Sequence, residues 1–139
     1  MANQGKLQVR LVTPERILLD EEVTSVEVPS KAGYMEVLPG AAPLLARIGA
    51  GMLRLRGGES GEKSFVISHG IAEVLPQRVT ILANRVEMPG QVDIALAEEL
   101  EERGKKQWEQ AGDDPAAFRE ANDLILEGQT LKELANLRH

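Results

Sequence analysis

Apolar and polar side chains alternate through the first part of the chain. In Lys6-Leu7-Gln8-Val9-Arg10-Leu11 every second residue is apolar, the pattern of a strand with one face buried. Val26 and Val28 alternate with Ser25 and Glu27, and Leu53 and Leu55 with Arg54 and Arg56. Residues 64–68 are β-branched and aromatic at their centre, and 71–75 and 79–83 repeat the strand pattern. Pro76-Gln77 between the last two predicts a tight turn. The intervals hold Thr13-Pro14, Pro29, Gly33, Pro39-Gly40, Gly49, Gly51 and Gly57-Gly58. Short strands punctuated in this way predict an antiparallel β-sandwich or barrel, and no crossover helix of the kind a parallel sheet needs is visible.

The period changes at Met88-Pro89-Gly90. From Asp93 onward Leu96, Ala97, Leu100, Gly104, Trp108 and Ala111 fall on one stripe of a 3.6-residue helix. Asp93 suits the cap, or a favourable charge at the helix start. Gly112-Asp113-Asp114-Pro115 stops this helix and starts a second, with Asp114 as cap and Pro115 in the first turn. Ala117, Phe118, Ala121, Leu124, Ile125 and Gly128 share a face there, and Glu120, Asp123 and Glu127 take the opposite side. The short connection makes the helices antiparallel neighbours. Small residues at 97, 104, 121 and 128 allow close packing. Thr130-Leu131-Lys132-Glu133 has capping-box spacing just after Gly128, so the second helix either restarts there or runs straight through. The C-terminus is expected to fray.

Charge separates the same two segments. Residues 1–89 carry ten basic and ten acidic side chains, whereas 90–139 carry six and twelve, so the formal net charge of -6 belongs to the helical part. An acidic segment offers no electrostatic footprint for nucleic acid. Absence of cysteine excludes disulfides and thiolate chemistry and fits a reducing compartment. Aromatic residues are only 3% of the chain, so aliphatic packing must build the core. The first ten residues do not read as a secretion signal, and no apolar run is long enough to span a bilayer, so membrane association is expected to be peripheral.

Candidate chemistry is sparse. The two histidines, His69 and His139, are far apart in sequence, and a metal site gathers three or four ligands, so none is predicted. His69 reads as a residue of a strand-to-strand turn and His139 as part of a disordered terminus. No serine lies in a Gly-x-Ser-x-Gly elbow, and neither a phosphate-binding loop nor a dinucleotide fingerprint is present. Glu98-Glu99 and Glu101-Glu102 lie beside Arg103, Lys105 and Lys106, which predicts a solvated, salt-bridged helix face instead of paired catalytic carboxylates. No catalytic, cofactor-binding or metal-binding residue is predicted, and the chain does not read as an enzyme.

Several segments, in order, resemble the epsilon subunit of F-type ATP synthases. Leu11-Val12-Thr13-Pro14-Glu15-Arg16 is similar to that family's early V-x-P-E-R turn. Val26-Glu27-Val28-Pro29 is followed by Gly33-Tyr34-Met35-Glu36-Val37-Leu38-Pro39-Gly40-Ala41-Ala42-Pro43-Leu44-Leu45, similar to G-x-x-G-V-L-P-G-H-A-P-L-L. Gly51-Met52-Leu53 matches the next strand entry. His69-Gly70-Ile71-Ala72-Glu73-Val74 and Val79-Thr80-Ile81-Leu82-Ala83 resemble G-G-x-x-E-V and V-T-V-L-A. The likeness runs from about residue 7 to 97. It implies a ten-stranded β-sandwich over 1–88 that binds the gamma subunit and the c-subunit ring, and a regulatory helical hairpin over 91–139 that reaches the alpha/beta catalytic head. It also implies a peripheral place on the cytoplasmic face of the cell membrane, in a machine that translocates protons. The segment 31–42 would approach the ring, with Tyr34 and Met35 either partner contacts or ordinary loop cover. Leu44 and Leu45 are expected to anchor inward.

Departures from the pattern bear on the hairpin. Glu36 replaces a family glycine, Ala41 the family histidine, and His69 the first of two glycines. The family's I-D-x-x-R-A motif, which binds ATP in some members, stands here as Val92-Asp93-Ile94-Ala95-Leu96-Ala97. Leu96 lacks the cation that pairs with phosphate, and an acidic hairpin repels a polyphosphate, so no cofactor is expected. The same charge predicts inhibition of ATP hydrolysis that is weak or differently wired, with Arg103, Lys105, Lys106, Arg119, Lys132 and Arg138 as the basic side chains able to act locally. A free-standing ligand-binding sandwich with a dimerising hairpin is the alternative, disfavoured by the family motifs and the shortage of aromatic platforms.

Overall fold

Period-two runs become strands because each has one apolar side to bury and turn residues at its ends. The computed structural model describes residues 5–136. Arg138, His139 and the fraying expected of the last residues lie outside that range. The chain divides between Met88 and Pro89 into two compact units.

The first unit holds β1 (Leu7–Val12), β2 (Ile17–Val23), β3 (Ser25–Ser30), β4 (Gly33–Val37), β5 (Leu44–Ile48), β6 (Gly51–Arg56), β7 (Lys63–Leu75) and β8 (Arg78–Glu87). They form one hydrogen-bonded ladder, β2-β1-β8-β7-β5-β3-β4, and β6 joins β3 to β7. The β1–β8 pair is parallel and the other pairs antiparallel. Leu7, Val9, Leu11, Val26, Val28, Leu53, Leu55, Ile67, Val79 and Ile81 are wholly buried in a single aliphatic core.

Eight strands lie among the described residues, where the family likeness implied ten. Segments 64–68 and 71–75 are two halves of the single strand β7, so His69 sits inside a strand and not in a turn between strands. β7 pairs with β6 through its first half and with β5 through its second, in an unbroken register that sets Gly51 opposite Ile67 and Ile48 opposite Gly70. The strand bends between those pairs, with φ 56° at His69 and 153° at Gly70. A Cβ on Gly70 would collide with the Leu82 carbonyl oxygen, so this position admits only glycine. β5 and β6 break at Gly49 and Ala50, opposite the bend, and the paired chains turn the corner together. β2, β4 and β5 are strands that period-two reading did not mark. β2 and β4 are edge strands, and β2 carries the run Asp20-Glu21-Glu22. Edge strands tolerate charge because one side of their backbone is unpaired.

The second unit opens with a 3-10 turn at Pro89–Gln91 and continues with α1 (Ile94–Gln110) and α2 (Pro115–Ala135). Asp93 accepts the Leu96 N–H at 3.2 Å and Asp114 accepts the Ala116 N–H at 3.0 Å, which caps both helices. α2 runs unbroken through Gly128 and Thr130. The stripe of small residues is where the helices touch. A side chain at Gly104 would lie 2.8 Å from the Ala121 carbonyl oxygen and 2.9 Å from the Ile125 nitrogen. At Gly128 it would lie 2.5 Å from the Ala97 carbonyl oxygen and 2.9 Å from the Glu101 nitrogen. Near the loop, Trp108 meets Phe118 edge-on, with ring centroids 4.9 Å apart. Glu127, assigned above to the polar side, is only 5% exposed. α2 also packs on the turn at Pro89–Gln91. Glu127 shares a buried arc with Leu131 and Leu134, a second neighbour that a wheel drawn for one partner helix leaves out.

Candidate interaction surface

Strand register decides which side chains share the outer face of β5, β7, β8, β1 and β2. One row across it reads Arg47, Ile71, Leu82, Val12, Ile17. The next reads Leu45, Glu73, Thr80, Arg10, Asp20. Ile71 is 48% exposed, its cross-strand partner Leu82 51%, and Leu45 70%. Ile17 is exposed too, and Val12 is partly covered. The charged members border the apolar ones, and Arg10 and Asp20 form a 3.0 Å ion pair. Gln8 and then Arg10 hydrogen-bond the Asp20 carboxylate and hold it below its ordinary range. An apolar patch rimmed by polar groups of both signs on a rigid sheet is the anatomy of a protein-docking surface.

This face corrects the reading of Leu44 and Leu45 as inward anchors. Leu45 lies in the outward row, opposite Glu73. Leu44 has the inward parity, opposite Val74, but sits at the strand's end and stays half exposed. Period two alone leaves the sign of the alternation open, and the pairing with Glu73 and Val74 fixes it.

The segment 31–42 is part strand: β4 occupies Gly33–Val37, and a loop follows. Met35 packs against the core. Tyr34 is exposed, but its hydroxyl accepts the Met52 N–H at 2.9 Å, which ties β4 to β6 across β3. Leu38 is exposed in the loop. Glu36 is engaged with Arg56 at 3.5 Å, and the same guanidinium reaches Glu27 at 3.9 Å and Glu62 at 3.7 Å. Glu27 and Glu36 face each other across β3 and β4, and Arg56 offsets their repulsion.

On the hairpin, Asp93 is a cap and Leu96 a partly buried residue two positions into α1. Arg103, Lys105, Lys106 and Arg119 are exposed. Lys132 is committed within the hairpin: its Nζ is 2.6 Å from Glu101 Oε1. Glu98, Glu99 and Glu102 are solvated as the sequence predicts, whereas Glu101 turns toward α2 with its side chain 13% exposed. Among the described residues no group of three or more His, Asp or Glu could hold a metal ion, and no helix is long and apolar enough to cross a membrane.

Comparison with known proteins agrees with this architecture. Residues 6–89 match the sequence family described as ATP synthase, Delta/Epsilon chain, beta-sandwich domain. The ATP synthase epsilon chain of Koribacter versatilis is 35% identical over 107 residues, covering 76% of this chain and 73% of that one. The corresponding protein of Solibacter usitatus is 41% identical over 102 residues, 73% of this chain and 75% of that one. Among solved structures, a chain of the Euglena gracilis mitochondrial ATP synthase, an OSCP/F1/c-ring assembly, superposes with TM-score 0.70 at 20% identity, covering 93% of this chain and 81% of its own. A chain from the central stalk/c-ring of the Tetrahymena thermophila mitochondrial ATP synthase gives 0.66 at 14% identity, covering 94% and 97%.

Proposed function

The chain belongs to the ATP synthase delta/epsilon family, and from that premise we propose that it is a central-stalk subunit coupling the catalytic head to the c-subunit ring of a proton-translocating F-type synthase. Its curated relatives are epsilon chains, which are non-catalytic accessory subunits of the complex. The sandwich, residues 1–88, binds the gamma subunit through the outer face carrying Leu45, Ile71 and Leu82. The segment 31–42 approaches the ring, with Leu38 and Tyr34 as its exposed apolar members. The subunit is peripheral, on the cytoplasmic face of the cell membrane. The observation that carries this reading is the exposed Ile71–Leu82 pair at the centre of a rigid sheet, which leaves apolar area for a protein partner.

The hairpin, residues 91–139, is a regulatory element that contacts the alpha/beta head, and its brake on ATP hydrolysis is weak. Its charge is six basic against twelve acidic side chains. Glu101 already engages Lys132, one of the cations a brake would use. Leu96 stands where an arginine would meet nucleotide phosphate, so ATP does not stabilise the hairpin.

The test is association of the purified chain with a gamma-containing catalytic head from the same source, depleted of its own epsilon chain. Tight binding is expected, and Ile71→Asp with Leu82→Asp weakens it by roughly thirtyfold or more, the loss of a buried apolar anchor at an interface. Binding unaffected by both substitutions overturns the assignment of this face, and failure of the unmodified chain to bind overturns the stalk reading.

A further inference from the structure

The contact between the hairpin's helices is not uniform along its length. Toward the loop the helices are joined by the Trp108–Phe118 pair and by the backbone approach of Gly104 to Ala121. Toward the other end the backbones approach again at Ala97 and Gly128, and a polar contact is added to the apolar one. Glu101 projects from α1 across Gly128, where the glycine leaves space: a Cβ there would lie 3.0 Å from Glu101 Cβ. Through that space the carboxylate reaches two groups of α2, Lys132 Nζ at 2.6 Å and Gln129 Nε2 at 3.1 Å. Lys105 on its own helix stands 4.0 Å away. Two observations therefore point to one arrangement: a largely covered carboxylate gathering donors from both helices, and a glycine that lets the backbones come close enough for it to reach across.

We propose that Glu101 is an electrostatic latch that adds a charge-dependent hold on the C-terminal half of α2 against α1, so that breaking it loosens that half and leaves the contact near the loop unchanged. Apolar contact is non-directional and does not depend on charge. A charged pair adds a contact that a competing cation, anion or high salt can undo. Gln129 is neutral and donates to the same carboxylate, so it orients Glu101 without neutralising it. Lys105 is on the same helix as Glu101 and adds charge but no link between helices. Lys132 is thus the latch's strike plate, and Glu98 adds a second negative charge near it. The inference concerns opening within the hairpin and does not depend on which partner the sandwich binds.

Amide hydrogen exchange on the full chain tests it, with Glu101→Gln, Lys132→Gln and the exchanged pair Glu101→Lys/Lys132→Glu. Each single variant is expected to speed exchange over residues 128–135 by roughly two- to fivefold, the range for a partly exposed ion pair. Amides of 104–121 and of the sandwich keep their protection, which also reports that every variant is folded. The exchanged pair restores most of the protection, and high salt removes the difference between the parent and Glu101→Gln. Unchanged exchange in both single variants overturns the latch. Loss in the singles without restoration in the exchanged pair also overturns it, because it assigns the effect to packing.

Discussion

At Gly70 two constraints coincide: a φ of 153°, which residues with a Cβ avoid, and a neighbouring carbonyl at Leu82 standing where that Cβ would lie. Relief would require β8 to separate from β7 at the bend of β7. Gly70→Ala is therefore expected to destabilise the sandwich by on the order of 3 kcal/mol, read as a fall in thermal midpoint of roughly 10–20 °C. His69 precedes it in the left-handed region, which histidine enters more readily than most residues. Glu101 gives a second prediction at this scale. Hydrogen bonds from Lys132 and then Gln129 hold its carboxyl below the ordinary value, and the bond to Glu101 raises Lys132 above its own. A depressed acid contributes stability that is present above its unfolded pKa, about 4.3, and is lost as pH falls through the folded value. A raised lysine contributes below about 10.4 and is lost as pH rises through its folded value. The difference in 128–135 exchange between the parent and Glu101→Gln is thus expected across roughly pH 5 to 10 and to vanish at either extreme. A difference persisting at pH 2 would show that the carboxylate's charge is not its source.

Among the elements, the hairpin depends most on the absence of side chains. Gly104 and Gly128 bring backbone against backbone, and no rotamer relieves a Cβ that meets a carbonyl oxygen or an amide nitrogen. Gly104→Leu is expected to separate α1 from α2, blue-shifting or quenching nothing in the sandwich but moving the emission of Trp108, the chain's single tryptophan. Near-native Trp108 emission and full helicity in that variant would contradict backbone contact at this point. Both helices, their caps and this stripe were legible in the sequence, because helical period and capping chemistry are local properties. The core strands β1, β3, β6 and β8 were legible for the same reason. Beyond reach were the edge strands β2 and β4, whose charges suit an unpaired edge, and the continuity of β7 through His69-Gly70, where a turn signal marks a bend. The outward direction of Leu45 depends on its pairing with Glu73, a contact between distant residues. Likewise Glu101 and Glu127 each lie in an acidic run that reads as solvated, and only the position of α2 and its neighbours separates them from Glu98 and Glu102.

For the whole molecule, the proposed stalk role raises the question of which unit would carry association. The exposed face that includes Leu45, Ile71 and Leu82 belongs entirely to strands of the first unit, and that unit closes its own aliphatic core without a residue from beyond Met88. A fragment of residues 1–88 therefore has what an independent domain needs, a buried core and paired strands. It is expected to fold cooperatively and to bind a gamma-containing head within about threefold of the full chain, because the lost residues supply none of the apolar anchors. The hairpin adds twelve acidic and six basic side chains, a field that opposes docking on an acidic surface and weakens with salt. ATP hydrolysis by the reconstituted head is accordingly expected to fall little more with the full chain than with the fragment. If the full chain inhibits strongly and the fragment does not, local cations such as Arg103, Lys106 and Arg119 outweigh the net charge, and their replacement by glutamine should relieve the inhibition. If the fragment folds but binds far more weakly than the full chain, the hairpin holds part of the docking surface, and association cannot be assigned to the sandwich face alone.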